Sequence, residues 1–211
     1  MVLGIKVVAG AAAFLVLGNL AILGASMWAR GTTATVAVRE VAGISNFTAV
    51  DGHVWRGGAP SEVGYRNLAA AGVTTIVDLR AEDGLEPDSR MVTDLGMRLV
   101  SIPIRDGQAP SADKVAQFLA ATRESGGTVF VHCGAGVGRT GTMVGAYLVE
   151  SHVGGVTAVR RNLAVGPPSL EQLAFVVGLD ADDIDRPGPV LTAVSRVLDA
   201  PRRIWTRIGI L

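Results

Sequence analysis

The chain has 211 residues, a formal net charge of zero and one cysteine, which is length enough for one ordinary globular domain plus segments at its ends. Zero net charge supplies no global field to draw in nucleic acid. A single thiol permits neither a disulfide framework nor a cysteine-based metal cluster, so Cys133 is either inert packing or a reactive group.

From Val7 to Trp28 the chain runs without a charge, and as a helix that stretch is roughly 33 Å long against a hydrocarbon core of about 30 Å. Gly24 and Ser26 offer the small-x-small pair of a cleavable signal peptide, but the run exceeds an h-region of about 7 to 15 residues. A single transmembrane anchor over residues 1–29 is therefore preferred. Lys6 lies before the run and Arg30 and Arg39 after it, so the positive-inside rule is close to a tie. Residues 30–45, small and polar, read as a linker.

The globular domain is expected over residues 46–185. Asp51-Gly52, between Phe47–Val50 and His53–Arg56, suits a two-residue type I′ hairpin. Ser61 caps a helix to about Ala71 with Gly72 behind it, and Val73 to Leu79 is a strand. A short helix from Glu86 to Leu95 ends at Gly96, followed by a strand from Met97 to Ile104. Ser111 caps a helix that stops near Gly126-Gly127. Thr128 to Val131 is a β-branched, apolar run of the kind buried on both faces of a sheet. Helical spacing returns over Arg139–His152, Val156–Ala164 and Ser169–Leu179. Alternating strands and helices imply an α/β fold, a mostly parallel central sheet flanked by helices, with ligands at the carboxyl ends of its strands.

The loop after Val131 lies at such an end and reads His132-Cys133-Gly134-Ala135-Gly136-Val137-Gly138-Arg139-Thr140-Gly141. Gly136 to Gly141 is formally GxGxxG, but the acidic residue a dinucleotide site needs about twenty positions on is replaced by Arg160-Arg161. A Walker A loop fails twice, with Cys133 at its first glycine and Arg139 at its lysine. The remaining reading is Cys-x5-Arg-Thr. Gly134, Gly136 and Gly138 let successive N–H groups point into one concavity, so the main chain from Gly134 through Ala135, Gly136 and Val137 to Gly138 can hold a phosphate at a helix N-terminus. Arg139 adds a planar fork matched to two phosphate oxygens. That positive setting favours the thiolate of Cys133 as nucleophile. Thr140 is placed to donate a hydrogen bond to the sulfur, and His132 to brace the loop.

Phosphoryl transfer to sulfur also needs an acid for the leaving oxygen and a base for water, roles one carboxylate can fill in turn. Asp106 is the candidate, just past a strand end in a loop with Gly107 and Pro110 that reads as mobile. Asp94, Asp83 and Glu82 are its rivals. Arg80 is expected to pair with Asp78, Glu82 or Asp83, Arg56 is ambiguous between structure and substrate, and Gln172 reads as polar surface. His53 and His152 have no partner at ligand spacing.

Residues 132–141 resemble the signature loop of the cysteine-based protein tyrosine and dual-specificity phosphatase superfamily, and the resemblance extends over about residues 46–180. Trp55-Arg56-Gly57-Gly58-Ala59-Pro60-Ser61 is similar to the segment opening the compact dual-specificity-like members. Val77-Asp78-Leu79-Arg80 resembles the strand end that follows, and Asp106 lies where their general acid lies. The resemblance implies hydrolysis of phosphate monoesters through a phosphocysteine intermediate, without metal or cofactor. Phosphoinositide-directed members tend to carry lysines within the loop, which this chain lacks, so phosphoprotein substrates are favoured, phosphotyrosine first and phosphoserine or phosphothreonine with it. A membrane phospholipid phosphatase and a non-catalytic phosphate-binding adaptor are the alternatives.

Beyond Pro187-Gly188-Pro189, residues 186–211 place Val190, Leu191, Val194, Val197 and Leu198 on one helical face. Ile204, Trp205 and Ile208 share another after Pro201, with Arg196, Arg202, Arg203 and Arg207 on the polar side. Such a segment suits either an anionic membrane surface or packing on the domain. The membrane reading and a thiol that must stay reduced both favour the cytoplasmic face for the domain.

Overall fold

The computed structural model describes residues 2–33, 41–81, 86–179, 184 and 186–207. In chain order its elements are α1 (Val2–Thr32), β1 (Thr48–Ala49), β2 (Val54–Gly58), α2 (Glu62–Ala70), β3 (Val73–Arg80) and α3 (Glu86–Asp94). There follow β4 (Arg98–Ile104), α4 (Ala112–Glu124), β5 (Thr128–Cys133), α5 (Gly138–Glu150), α6 (Gly155–Val165), α7 (Leu170–Val177) and α8 (Pro189–Arg207). The fold is α/β, as expected. Its five strands form one sheet in the order β1-β2-β5-β3-β4, parallel except for the antiparallel β1–β2 pair.

The central strand β5 is flanked by β2 and β3, with Gly58 opposite Cys133 and Asp78 opposite His132. Its alternation divides two cores. Val129, Val131 and Cys133 join a cluster with Val115, Phe118, Met143 and Val144 from α4 and α5. Phe130 faces the other way, toward Tyr65 and Leu68 of α2 and Val92 of α3. A strand buried on both faces thus delivers consecutive residues, His132 and Cys133, to opposite layers.

The hairpin expected at Asp51-Gly52 takes another form. Neither residue has a positive φ, and the turn is closed by the Asp51 carboxylate, whose Oδ1 accepts from the N–H of His53 at 2.8 Å and of Val54 at 2.7 Å. A side chain that mimics the backbone acceptor removes the need for a I′ turn. Gly72 and Gly96 do sit at φ +88° and +75° behind their helices, whereas Ser111 makes no side-chain cap bond.

Among the described residues one helix, over Ala12–Thr32, is long and apolar enough to cross a membrane. Its carboxyl half is docked on the domain. Ser26 Oγ donates to the Leu163 carbonyl at 2.7 Å, and Arg30 donates to those of Ala164 and Val165 at 3.1 and 2.9 Å. These are the last carbonyls of α6, which lack intrahelical partners. Ala29 is buried against Leu163 and Ala164, and the Arg160 guanidinium lies 5.5 Å over the Trp28 ring. The opposite side of α1, including Phe14, Leu17, Leu20 and Leu23, is exposed.

The carboxyl-terminal helix α8 runs through Pro201 without interruption. It rests on the domain through Ser195, whose hydroxyl accepts from the Glu171 N–H at 2.8 Å, and Leu198, which lies against Gly18 of α1. Asn19 Nδ2 donates to the Leu198 carbonyl at 3.2 Å. The side chains of residues 202–211 lie outside the described set.

Candidate active site

The segment joining β5 to α5 carries Cys133 at the strand end and Arg139 in the first turn of the helix. What shapes it is the fate of its carbonyls. The Gly134 carbonyl accepts from the Ala59 N–H at 2.9 Å and that of Ala135 from Asn46 Nδ2 at 2.9 Å. The carbonyls of Gly136 and Val137 accept from Arg56 Nη2 at 2.9 and 3.3 Å. Four successive acceptors are drawn outward, and on the inner side the N–H of Gly136 donates to Cys133 Sγ at 3.3 Å. Main-chain donors on the inner side of such a loop can hold an anion.

Among the three loop glycines only Gly136 has a positive φ, +74°, and a Cβ there would overlap the backbone of Gly57 and Gly58. Gly138 is spared for a different reason, because a Cβ there would overlap the Gln172 carboxamide. At Gly134 a Cβ would meet only Arg139 Nη2, at 3.7 Å.

Arg56, ambiguous in the sequence, is an architectural residue of the loop. It projects from β2 and is only 2% exposed, and its Nη1 donates to Asn162 Oδ1 at 2.6 Å. Asn162 in turn donates from Nδ2 to the Gly141 carbonyl at 2.7 Å, so α6 holds the start of α5 through the same pair. Burial pushes the Arg56 pKa down to about 10, with the negative charge of Cys133 pulling it back up in part. It is still a cation at neutral pH, behind the loop.

Arg139 is buried, its Nη1 donates to the Ile104 carbonyl at 3.2 Å, and its Nη2 lies 3.4 Å from Asp106 Oδ1. The structure thus brings Cys133, Arg139 and Asp106 to the carboxyl ends of β5 and β4. The loop carrying Asp106, expected to be mobile, is tied down. The Gly107 carbonyl accepts from Ser169 Oγ at 2.7 Å, that of Gln108 from Gln172 Nε2 at 3.3 Å, and the Ala109 N–H donates to Glu171 Oε1 at 2.9 Å. Ser169 and Gln172 also form the capping box of α7. Gln172 is therefore buried rather than on the polar surface, and it fastens the Asp106 loop to a helix end.

Thr140 is fully buried, and its hydroxyl has no hydrogen-bond partner among the described residues, so the expected bond to sulfur is not made in this state. His132 is buried between Phe130 and Tyr65. Its Nδ1 lies 3.4 Å from the Cys133 carbonyl and its Nε2 3.7 Å from Asp78 Oδ2. Asp78 is the partner of Arg80, with Nη2 2.6 Å from Oδ2, as the pairing reading held. Asp94 ends α3 away from this cluster, while Glu82 and Asp83 lie outside the described residues.

Asn46, Asn162 and Ser169 were not singled out in the sequence. A signal existed only for Arg56, an arginine inside an otherwise apolar strand.

Residues 34–178 match the sequence profile of the family described as DSP-PTPase phosphatase fused to NAD+ kinase. The chain belongs to this dual-specificity phosphatase family. It is 39% identical over 80 residues to the dual specificity protein phosphatase CDC14AB of Danio rerio, covering 38% of this chain and 13% of that protein. It is 37% identical over 97 residues to the probable NAD kinase 2, chloroplastic, of Oryza sativa subsp. japonica, covering 43% and 10%. The chain thus spans a small part of these relatives' length. The core catalytic domain of the PP-IP phosphatase SIW14 from S. cerevisiae, solved with citrate, superposes with a TM-score of 0.59 at 18% identity over 82% of this chain and 98% of that one. That likeness shows the fold.

Proposed function

We propose that this chain hydrolyses phosphate monoesters through a phosphocysteine intermediate, with phosphoproteins as substrates, phosphotyrosine foremost. The observation that carries the reading is the outward binding of four consecutive loop carbonyls, with the Gly136 N–H donating to Cys133 Sγ on the inner side. A phosphate seated there meets main-chain donors from Gly134 to Gly138 and the fork of Arg139, and it displaces Asp106 from the arginine. Sγ attacks phosphorus, the ester P–O bond breaks, and the departing oxygen takes the proton of Asp106. The Asp106 carboxylate then takes a proton from water as that water attacks phosphorus. The S–P bond breaks, freeing inorganic phosphate and the thiolate. Thr140 serves when its hydroxyl turns to the sulfur, and His132 acts by position only.

We further infer that α1 anchors the chain in a membrane with the phosphatase domain on the cytoplasmic face. The exposed apolar side of α1 supports this, and the Ser26 and Arg30 bonds hold the domain close against the helix. That proximity also favours a membrane phospholipid as the second substrate reading.

The full chain in detergent should hydrolyse a generic aryl phosphate in the presence of a chelator, with vanadate inhibiting, and Cys133→Ser should abolish turnover. Full activity in that variant removes the mechanism. Phosphotyrosine peptides and phosphorylated lipids assayed side by side decide between the substrates.

A further inference from the structure

Between β1, β2, α5 and α6 lies a cavity of about 80 Å³, whose wall includes Thr48, Arg56 and Arg161 together with Val50, Val144 and Leu148. At about 10–15 Å³ for each water-sized group, that space takes roughly five to eight non-hydrogen atoms. No residue of the wall carries a carboxylate.

The fold leaves two polar atoms of these wall residues unused. Arg56 gives Nη1 to Asn162 and Nη2 to the carbonyls of Gly136 and Val137. Its Nε and the Thr48 hydroxyl have no hydrogen-bond partner among the described residues, although the two residues are only 2% and 5% exposed. Arg56 also forms no ion pair among the described residues. Arg161, half-buried in the same wall, makes neither a hydrogen bond nor an ion pair among them. A buried donor without an acceptor and a buried cation without a counter-charge are both unfavourable, and one carboxylate relieves both.

We propose that this cavity binds a small aliphatic monocarboxylate, its oxygens on Arg56 Nε, the Thr48 hydroxyl and Arg161, and its alkyl tail against Val144 and Leu148. Butyrate, with six non-hydrogen atoms, matches the space. A phosphate dianion is the poorer occupant, because its remaining oxygens would face the apolar wall without donors. The site is separate from Cys133 and stands whether or not the chain turns over phosphate esters. It meets the catalytic loop through Arg56, which bonds the ligand with one edge and the loop carbonyls with the other.

The test is thermal melting of the full chain in detergent as sodium butyrate replaces sodium chloride at constant ionic strength. A ligand that binds only the folded chain raises Tm with concentration, so butyrate should give a saturable rise. 1-Butanol, which keeps the tail without the charge, should give none. The double variant Thr48→Val, Arg161→Gln should need about tenfold more butyrate, or beyond, for the same rise. Should that variant not fold, Thr48→Val alone, an isosteric change of an unpartnered hydroxyl, should need about threefold more. Saturating vanadate should leave the butyrate response in place. No saturable rise, an equal rise with 1-butanol, a response unchanged in the variants, or one abolished by vanadate overturns the proposal.

Discussion

Replacing Arg56 by methionine tests whether this side chain acts on the loop as well as on stability. Burial pulls the Arg56 pKa down to about 10, a cost to the buried cation of a few kcal/mol at about 1.4 kcal/mol per unit. Against it stand three hydrogen bonds from a charged donor, each contributing about 1.5–3 kcal/mol. An apolar side chain replaces a buried charge at little net cost only where its partners go with it, and methionine would leave Asn162 Oδ1 and the Gly136 carbonyl without this donor. Arg56→Met is therefore expected to lower the unfolding free energy by about 3–5 kcal/mol, read by denaturant titration. Activity should fall further than the unfolded fraction. Without Nη2 the carbonyls of Gly136 and Val137 lose their outward donor and the loop amides lose their aim, which should lower kcat/KM for an aryl phosphate about 100-fold or more. Arg56→Lys should lose activity nearly as far, because an ammonium cannot serve Asn162 and two carbonyls from one plane. A fully active Met variant, full rescue by Lys, or an activity loss no larger than the unfolded fraction would refute the argument.

Asp106→Asn should lower kcat about 10²- to 10⁴-fold while leaving vanadate affinity within a few-fold, and an unchanged kcat removes Asp106 from the acid role. Gly136→Ala, at φ +74° against the backbone of Gly57 and Gly58, should cost about 2 kcal/mol or more, which thermal melting reads as roughly 4–8 °C in Tm for a chain of this size. Ser169→Ala removes both the α7 cap and the tie to Gly107. It should cost about 1–2 kcal/mol and lower kcat with KM held, whereas a kcat equal to wild type means the tether is not needed for the acid. Combining Ser26→Ala with Arg30→Ala should speed hydrogen exchange in the last two turns of α1 without altering aryl phosphate turnover, and unchanged exchange means those bonds do not hold the helix to the domain.

Much of the fold was legible because local rules carry it. The β-branched run Thr128–Val131 announced a central strand, Gly72 and Gly96 marked helix ends by the one conformation they share, and Ser61 announced a cap. The Asp51-Gly52 turn misled because a carboxylate can stand in for a backbone acceptor, an option the dipeptide does not display. Gln172 misled because helical spacing says nothing about which neighbour covers a face. Its carboxamide fits where Gly138 has no Cβ, and that fit depends on α7 packing on α5.

By itself the sequence determined the α/β class, the position of the loop at a strand end, and the spacing that puts Cys133 and Arg139 at its two ends. All of these follow from contacts within a few residues along the chain. Tertiary structure decided what turns that loop into a site. Asn46, Arg56 and Asn162 lie from about 20 to nearly 90 residues away from the groups they bind, and Ser169 and Glu171 reach the Asp106 loop over 62 residues. Each supplies or accepts a bond that a four-residue loop cannot satisfy within itself. A carbonyl can be turned outward only where the fold places a donor outside to receive it.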